Sequence, residues 1–440
     1  MSLLVLSSGD VSRVAASFTL DELQDMMAGV FQAVETACMP HRTAIAMDQH
    51  TALFMPARIG HATSIKIASV PASTDTRGLP ASTLVLDEDT GAVKAIVNAR
   101  SLTALRNAAG SLLSTRLVRL PSPALPNPPP LTHVVAFGAG AQIAAHLQLH
   151  LRAYPSLVRC TIVNRAFNSR VHALRESLEA KFTKVKFELV ATSIPVSAPH
   201  ALRTALRTAN LVICATPSTS SLFPSAWLPT GAHVVLVGSY TPQMCEVGTQ
   251  VVQRAVPRRL DAASDGRSAT TVASLSHPNS PPRRQILLVD SIPACAREAG
   301  ELIGVGVRWG ASSSPDGTEG EREARDVREI GEFVRVRSED GGIELVDPFQ
   351  LKVGSAEAWG GHGADESHSR WNAPVQAAQG SDYLDDPSHS SDDLDQGPIT
   401  LFKSVGLGAQ DAAIASAVVR RAEAMGVGVL VAGYDSILDA

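Results

Sequence analysis

Apolar and polar residues alternate with a helical period near the start of the 440-residue chain and with a strand period afterwards. Apolar side chains spaced by three and four positions predict a helix over 19–37, with Thr19 as its N-cap and Glu22 in the capping-box position. Short β-rich runs then alternate with turns from residue 44 to residue 97, and the acidic turn at 87–91 predicts a hairpin. This part of the chain is therefore expected to mix helices and strands.

A different rhythm begins after a proline-rich stretch. A helix is predicted over 101–118, and the stretch 122–130 can continue no element, so we interpret it as a domain linker. Beyond it, short apolar strands alternate with helical segments, which is typical of a doubly wound α/β domain with a parallel sheet. The predicted strands are Val134–Phe137, Cys160–Val163, Lys186–Val190, Leu211–Ala215, His233–Val237 and Ile286–Val289.

Two stretches interrupt this alternation. Residues 258–284 are rich in Ser, Pro and Arg, and residues 336–397 hold Gly, Ser, His and Asp with little periodicity. Because so few apolar residues cannot offset the entropy lost on ordering, we predict that both are insertions and largely disordered. The pattern returns at 399–428, where a strand, a turn and a long helix are predicted.

Composition excludes several classes of function. The formal net charge of −5 gives no reason to expect a nucleic-acid or anionic-membrane partner. The five cysteines form no CxxC pair, so we expect a reducing compartment, no disulfide framework and no metal site. No stretch approaches the roughly 20 apolar residues of a membrane span, and the apolar run 3–6 is too short for a signal peptide. A soluble, cytoplasmic protein is the expectation.

The segment 134–147 indicates a dinucleotide site. It joins a strand, a glycine-rich turn and the start of a helix, which is how a doubly wound domain receives a pyrophosphate. Ile143 stands where the third glycine of that fingerprint is expected. The residues predicted to contact the cofactor here are Gly138, Ala139, Gly140, Ala141 and Gln142.

The next strand ends in Asn164-Arg165, where a ribose-binding acid usually lies. No Asp or Glu follows until Glu176, and an Arg at this position favours a 2′-phosphate. The sequence therefore favours NADPH, with NADH or NAD as the alternative.

Three isolated cations lie in apolar or small-residue surroundings in the first half of the chain. They are Arg42 before a β run, Lys66 inside a strand, and Arg106 in the middle of a helix. Each could extend its charge to solvent from an edge position. Gathered in one cleft, the three would instead bind a carboxylate, with Lys66 able to transfer a proton. The spacing of these residues in the sequence does not distinguish solvent-exposed cations from a carboxylate-binding site.

The chain resembles the ornithine cyclodeaminase/μ-crystallin family from about Leu4 to Val429, apart from the two insertions. Ordered blocks carry the resemblance: Arg42, Met55-Pro56, Lys66, Gly78-Leu79-Pro80, Asp89-Thr90-Gly91, Leu102–Arg106, Gly138–Gln142, Cys214–Ser218, Gly231-Ala232-His233, Val237-Gly238, Glu298-Ala299-Gly300 and Leu401–Gly406.

The resemblance implies a homodimer with two domains in each chain. Residues 1–121, completed by 398–440, would form an α+β substrate-binding and dimerisation domain, and residues 131–335 a Rossmann-type nucleotide domain. It also implies that Arg42, Lys66 and Arg106 surround a small amino- or imino-acid carboxylate beside the nicotinamide.

Departures from the family pattern bear on the reaction. Members that cyclise ornithine carry an Asp where this chain has Tyr240, and an acid where it has Leu53. Without these carboxylates a diamine loses its natural partners, which disfavours cyclodeamination. Asn107 replaces the usual Thr after the helix Arg, although an amide still donates a hydrogen bond.

By resemblance to the μ-crystallin branch, we expect an NADPH-dependent reductase of a small imine carboxylate of the pyrroline- or piperideine-2-carboxylate type. The alternatives are an ornithine cyclodeaminase, an amino-acid dehydrogenase and a non-catalytic ligand-binding protein. Arg42, Lys66 and Arg106 are the expected catalytic residues, with Ser82 and Tyr240 also at the substrate. Further cofactor contacts are expected from Thr103, Asn107, Asn164, Arg165, Ser169, Thr216, Pro217, Val237 and Ser239.

Overall fold

The computed structural model of the chain describes residues 2–71, 79–123, 125–193, 198–257, 284–310, 325–337, 342–349 and 397–434. Within these residues the strands form a seven-stranded sheet, an eight-stranded sheet and a two-stranded ribbon. None of the helices described is long and apolar enough to cross a membrane.

The seven-stranded sheet is built mainly from the first hundred residues. The strands are Leu3–Leu6 (β1), Thr43–Ala46 (β2), His50–Ile59 (β3), Ala62–Pro71 (β4), Ala81–Leu86 (β5), Val93–Asn98 (β6) and Val429–Val431 (β17). Their order in the sheet is β17-β1-β6-β5-β4-β3-β2, and β1 runs parallel to β6 while the other neighbours pair antiparallel. The predicted hairpin at 87–91 is confirmed between β5 and β6.

Four helices accompany this sheet: Ser8–Ala16 (α1), Leu20–Gln32 (α2), Leu102–Val118 (α3) and Gly408–Met425 (α10). Helix α2 begins as predicted, with Thr19 and Glu22 forming a reciprocal capping box. It ends at Gln32, five residues before the predicted end, and a 3-10 turn over Val34–Thr36 follows. Helix α10 packs on β3 and β4, which brings the end of the chain over the N-terminal sheet.

The eight-stranded sheet is entirely parallel, which confirms a Rossmann-type doubly wound fold. All six strands predicted from the alternation are present, each to within one residue at either end. The strands are His133–Phe137 (β7), Arg159–Asn164 (β8), Lys186–Ala191 (β9), Leu211–Cys214 (β10), His233–Leu236 (β11), Ile286–Val289 (β12), Arg328–Glu329 (β13) and Thr400–Lys403 (β16). The helices are Ala141–Ala153 (α4), Ser169–Glu179 (α5), Ala198–Arg207 (α6), Thr249–Ala255 (α7), Ile292–Glu298 (α8) and Gly300–Val305 (α9).

The strand order fixes where a ligand can lie. The order is β13-β12-β16-β11-β10-β7-β8-β9, so the chain proceeds from β7 to β8 and β9 on one side and resumes at β10 on the other. The crevice at the carboxyl ends of β7 and β10 is therefore the topological switch point, which is where doubly wound sheets bind ligands.

The sequence reading was wrong where short strands depend on distant partners. It placed no strand at 3–6 or 429–431, although these segments pair with each other at the sheet edge. It also assigned residues 336–397 to a disordered insertion, whereas β15 (Ile343–Leu345) pairs with β14 (Val334–Val336) against α2. Burial of the adjoining Phe333 explains this order. Most of both predicted insertions lies outside the described residues.

Candidate functional site

The turn between β7 and α4 forms the base of a large cavity. Gly138 has a φ of +111°, and a Cβ there would lie 3.2 Å from the Ala215 carbonyl oxygen, so a side chain would be both strained and crowded. Ile143, the departure from the fingerprint, is fully buried beside Gly138. Gly140 is the N-cap of α4, and a Cβ there would meet only open space. Gly140, Ala141 and Gln142 line the cavity, so the positive end of the helix faces it.

The predicted ribose-binding residues lie at the carboxyl end of β8, next to that turn. Asn164 donates from its Nδ2 to the carbonyl oxygen of Ala166 at 2.8 Å, and Arg165 is exposed. Ser169 is exposed at the start of α5, and the following Arg170 lines the cavity. Of the residues at this strand end and in the first turn of α5, Arg170 lies on the cavity wall, whereas Asn164, Arg165 and Ser169 do not line it.

The loops after β10 and β11 form the opposite wall. Thr216, Pro217 and Val237 line the cavity, as expected for cofactor contacts. Ser239 does not, because its side chain is fully buried and donates to Glu301 at 2.5 Å. Lys403 donates to both the hydroxyl and the carbonyl oxygen of Ser239, each at 2.6 Å. The expectation of a cofactor contact from the Ser239 side chain is therefore corrected.

Two of the three predicted cations meet at an acid that the sequence reading missed. Lys66 Nζ lies 2.6 Å from Asp411 Oδ2, and Arg106 Nε lies 3.1 Å from Asp411 Oδ1. All three side chains are about 95% buried. Asp411 is in the first turn of α10, more than 300 residues from its partners. Its sequence signal was a lone charge in the uncharged run GAQDAAIASAVV.

Burial and the charge of the ion-pair partner shift the pKa values of Lys66 and Asp411 in opposite directions. Burial lowers the pKa of Lys66, Asp411 partly restores it, and the positive charges of Arg106 and Arg42 lower it further. Burial opposes the charge of Asp411, but Arg106 and Lys66 outweigh it and hold its pKa below the usual value. Asp411 is thus an anion, and Lys66 gives up its proton more readily than a free lysine does.

A sharp turn before α10 lets Arg106 reach this acid. Gly406 has a φ of +82°, and a Cβ there would lie 2.6 Å from Arg106 Nη1, so a side chain would displace the guanidinium. The buried carboxylate of Asp290 holds the turn by accepting from the amides of Val405 and Gly406 at 3.0 and 2.8 Å. Asp290 is a second acid that the sequence reading missed.

The third cation joins the cluster from the edge of the N-terminal sheet. Arg42 forms an ion pair with Glu298 at the end of α8, and both side chains line the cavity. Since Arg42 also lowers the pKa of Lys66, the three predicted cations lie close together. With Asp411 and Glu298 as the two anions, three positive charges less two negative charges leave this cluster one positive charge in excess.

Helix α3 connects the cation cluster to the glycine turn. Thr103 Oγ1 lies 3.5 Å from Lys66 Nζ, and Asn107 contacts the Arg106 guanidinium. Asn107 also donates from its Nδ2 to Gln142 Oε1 at 3.2 Å, in the first turn of α4. The departure at Asn107 therefore keeps a hydrogen bond between the two halves of the site.

Of the two remaining substrate candidates, one lines the cavity and the other does not. Tyr240 lines the cavity. Ser82 pairs with Ile67, whereas Lys66 pairs with Thr83, so Ser82 faces away from the cavity on the other face of the sheet. The expected substrate contact from Ser82 is therefore corrected.

One cavity of about 1480 Å³ is lined by the glycine turn, by the loops after β10 and β11, and by the cation cluster with Asp411. It runs from the glycine turn past the loops after β10 and β11 to the cation cluster, and Leu53, Ala68 and Ala81 form an apolar surface beside Lys66. No group of three or more His, Cys, Asp or Glu in the described part of the chain is arranged to hold a metal ion.

These residues fit a dinucleotide. The switch point, the N-terminus of the 13-residue helix α4 and the positive-φ turn at Gly138 form a cradle that a pyrophosphate can approach closely. Among the described residues, no atom lies within 4 Å of the position that a Gly140 Cβ would occupy.

The sequence pattern of the ornithine cyclodeaminase/mu-crystallin family matches residues 9–264. The chain belongs to this family. Among curated relatives, Delta(1)-pyrroline-2-carboxylate reductase of Paracoccus denitrificans is 28% identical over 182 residues, or 41% of this chain and 51% of the relative. Ketimine reductase mu-crystallin of Mus musculus is 23% identical over 250 residues, or 55% of this chain and 72% of the relative. The match to the first of these thus spans about half the relative's length.

The fold matches that of solved structures over nearly its whole length. One is the Delta(1)-pyrroline-2-carboxylate reductase of Thermococcus litoralis in complex with NADH and L-proline, with a TM-score of 0.63 and 18% identity. The comparison covers 97% of this chain and 99% of that one. At this level of identity the likeness establishes the shared fold.

We expect the two turn glycines to respond differently to the addition of a methyl group. In Gly140→Ala the new methyl enters open space, so the melting temperature stays unchanged while dinucleotide affinity falls about tenfold. In Gly138→Ala the strained φ and the Ala215 carbonyl oxygen instead lower the stability, by about 1 to 3 kcal/mol. Thermal unfolding and titration with NADPH measure both effects. Unchanged affinity in Gly140→Ala would place the pyrophosphate elsewhere.

Proposed function

We propose that this protein is an NADPH-dependent reductase of a small imine that carries one carboxylate, of the pyrroline- or piperideine-2-carboxylate type. The observation that carries the proposal is the buried cation cluster, with one excess positive charge, at the end of a dinucleotide-binding crevice. Relatives named as reductases of pyrroline-2-carboxylate and of ketimines support the choice of substrate class.

Arg42 and Arg106 would bind the substrate carboxylate. Guanidinium groups suit planar bidentate binding of a carboxylate, and anchoring that group fixes the imine carbon relative to the crevice. Asp411 and Gln410 hold Arg106 in place, Gln410 accepting from Arg106 Nη1 at 2.7 Å. Because these contacts fix the guanidinium in one orientation, binding of a carboxylate there would need little reorganisation of Arg106.

Lys66 would supply the proton. Imine reduction adds one hydride to carbon and one proton to nitrogen, and a bound dihydronicotinamide supplies the hydride. The lowered pKa of Lys66 suits it to proton transfer. Asp411, 2.6 Å away, orients the ammonium group and balances its charge. The chain's own task is therefore to hold the carboxylate, keep the imine protonated and exclude water.

Purified protein mixed with NADPH and pyrroline-2-carboxylate tests the proposal, with nicotinamide absorbance as the signal. Oxidation of NADPH that depends on the imine is the expected result. A matched variant, Lys66→Met, keeps an unbranched side chain one heavy atom shorter but removes the ammonium, and we expect about a 100-fold loss of turnover. Release of ammonia from ornithine without net oxidation would instead favour a cyclodeaminase.

We also propose NADPH over NADH, with Arg165 as the determinant. Arg165 is exposed at the end of β8 beside the glycine turn, and no acid occupies the ribose position. Replacement of Arg165 by Ser should weaken NADPH binding by about 1 to 2 kcal/mol, since one charge-assisted contact to phosphate is lost, and leave NADH unchanged. Calorimetric titration with both cofactors measures this. Equal weakening of the two would contradict it.

We propose that the chain is a homodimer whose two domains are 1–121 with 404–440, and 131–335 with β16 (Thr400–Lys403). The predicted boundary at 398 is corrected, because β16 pairs with β11 and β12 in the parallel sheet. The face of the N-terminal sheet opposite Lys66 carries an apolar row that is only half-buried: Phe54, Ile65, Ile67, Leu84 and Ile96. A second copy would cover it. Light scattering should give twice the mass of one chain, and Ile67→Asp should shift it to monomer while Glu423→Gln on α10 does not. A monomeric wild-type protein would refute the dimer.

A further inference from the structure

A buried carboxylate outside the cation cluster joins the two loops at the other end of the crevice. Glu246 is fully buried, and its Oε1 accepts from the backbone amide of Thr216 at 2.7 Å and from the Thr216 hydroxyl at 3.0 Å. Its Oε2 accepts from the amide of Gly238 at 2.7 Å. One side chain thus ties the ends of β10 and β11 together.

Besides the contacts through Glu246, the backbones of the two loops touch each other at Gly238 and Thr216. A Cβ at Gly238 would lie 2.2 Å from the Thr216 carbonyl oxygen and 2.4 Å from Glu246 Oε1, so the backbones pack directly. Both Thr216 and Gly238 line the cavity. The spacing of this cavity wall is therefore set by the carboxylate that holds the two amides.

The strand order indicates which half of a dinucleotide meets this wall. The pyrophosphate position is at the end of β7, and the 2′-phosphate residue Arg165 is at the end of β8 on one side. The other half of the ligand must extend to the opposite side, across the ends of β10 and β11. The loops held by Glu246 thus face the nicotinamide half.

Buried charges surround Glu246 on several elements. Burial raises its pKa to about 7, Lys403 on β16 and the two amides oppose that rise, and Glu301 on α9 adds to it. Cys214 on β10 and Cys245 also face it. Protonation would turn one acceptor oxygen into a donor that faces an N–H group.

We propose that Glu246 is a positioning residue that fixes the loops contacting the nicotinamide half of the cofactor, an inference that rests on the proposed dinucleotide binding. It touches neither substrate nor reacting atoms. It acts by keeping the Thr216 and Gly238 loops at a fixed separation, and loss of either acceptor oxygen loosens that wall alone.

Two ligands separate this role from a general structural one. NADPH occupies both halves of the crevice, whereas 2′-phosphoadenosine 5′-diphosphoribose lacks the nicotinamide and shares every other group. In Glu246→Gln, one amide N–H loses its acceptor, so we expect NADPH affinity to fall about tenfold and that of the truncated ligand to change by less than about twofold. Equal loss for both ligands, or no loss for NADPH, would overturn the proposal.

A second measurement uses the wild-type protein and so does not depend on the variant folding. The affinity for NADPH divided by the affinity for 2′-phosphoadenosine 5′-diphosphoribose should fall as the pH is lowered through about 7. Protonation of Glu246 is expected to weaken only NADPH binding. A ratio independent of pH would contradict the inference. If wild-type protein binds neither ligand, the proposed function fails instead, and the two failures are thus distinguishable.

Discussion

Replacement of Asp411 by Asn is expected to lower the free energy of unfolding by about 3 to 5 kcal/mol, because it leaves Lys66 and Arg106 buried without their counterion. The amide keeps the size of the side chain but cannot balance two cations. The remaining positive charges repel each other, and Lys66 is expected to respond by losing its proton. Substrate affinity should fall as well, since Arg106 loses the contact that orients it.

Chemical denaturation of wild type and variant at the same pH measures this loss. Glu423→Gln is the matched control, because Glu423 lies on the same helix in an exposed ion pair with Lys94 and should change stability by less than about 1 kcal/mol. A loss in Asp411→Asn no larger than that of the control would show that the buried cluster does not depend on its acid.

Acid should destabilise the protein through histidines buried as neutral rings. Burial lowers the pKa of His146 to about 3, of His150 to about 4 and of His233 to about 3. Their ring nitrogens contact Ser111, Thr115 and Ser114 on α3, at 2.9, 3.1 and 3.3 Å. These rings therefore join the helix that carries Arg106 to α4 and β11.

The sign of the effect follows from these lowered pKa values. The unfolded chain binds protons on the histidines near pH 6.5, and the folded chain does not until about pH 4, so stability is lost as the pH falls through that window. At about pH 5 each ring lowers the free energy of unfolding by about 2 kcal/mol, since one pKa unit corresponds to about 1.4 kcal/mol. The total for the three rings approaches the stability of a typical domain.

Unfolding free energies measured between about pH 7.5 and pH 5 test this slope. His150→Gln removes one of these buried histidines and keeps an acceptor for the Thr115 hydroxyl, because Nδ1–H of the neutral ring donates to the His146 carbonyl oxygen. Since burial also lowers the pKa of His133 to about 4, the slope should become shallower by about a quarter. The exposed His61, replaced in the same way, should leave the slope unchanged. Constant stability across this range in the wild type would contradict the account.

Local patterns predicted much of the fold. Five of the six predicted strands of the parallel sheet were found because strands buried on both faces appear in the sequence as apolar runs, and β9, at the sheet edge, alternates charged and apolar residues. The capping box of α2 is likewise a local signal. The pairing of β1 with β17 was not found, because it joins the two ends of the chain. Because β1 and β17 are short and β17 is exposed, their strand conformation depends on the partner strand more than on a local pattern.

The residues of the candidate site also fall into those that the sequence predicts and those that only the tertiary structure brings together. The glycine turn and the three cations were found from their neighbours in sequence and from the family resemblance. Asp411, Asp290, Glu298 and Glu246 were missed, since each acts on groups brought near by tertiary structure. Ser82 and Ser239 were misplaced because sequence alone does not show which face of a strand, or which side of a loop, a side chain occupies.

We propose that this chain reduces the C=N bond of a carboxylated imine with a hydride from a nicotinamide. The most direct test follows the hydride itself, with NADPH deuterated at both C4 positions and pyrroline-2-carboxylate as the substrate. Mass spectrometry should show proline that has gained one deuterium at the α-carbon for each NADPH consumed. A protein that binds NADPH and the carboxylate yet forms no labelled proline or other amine from a panel of cyclic ketimine carboxylates would contradict the account.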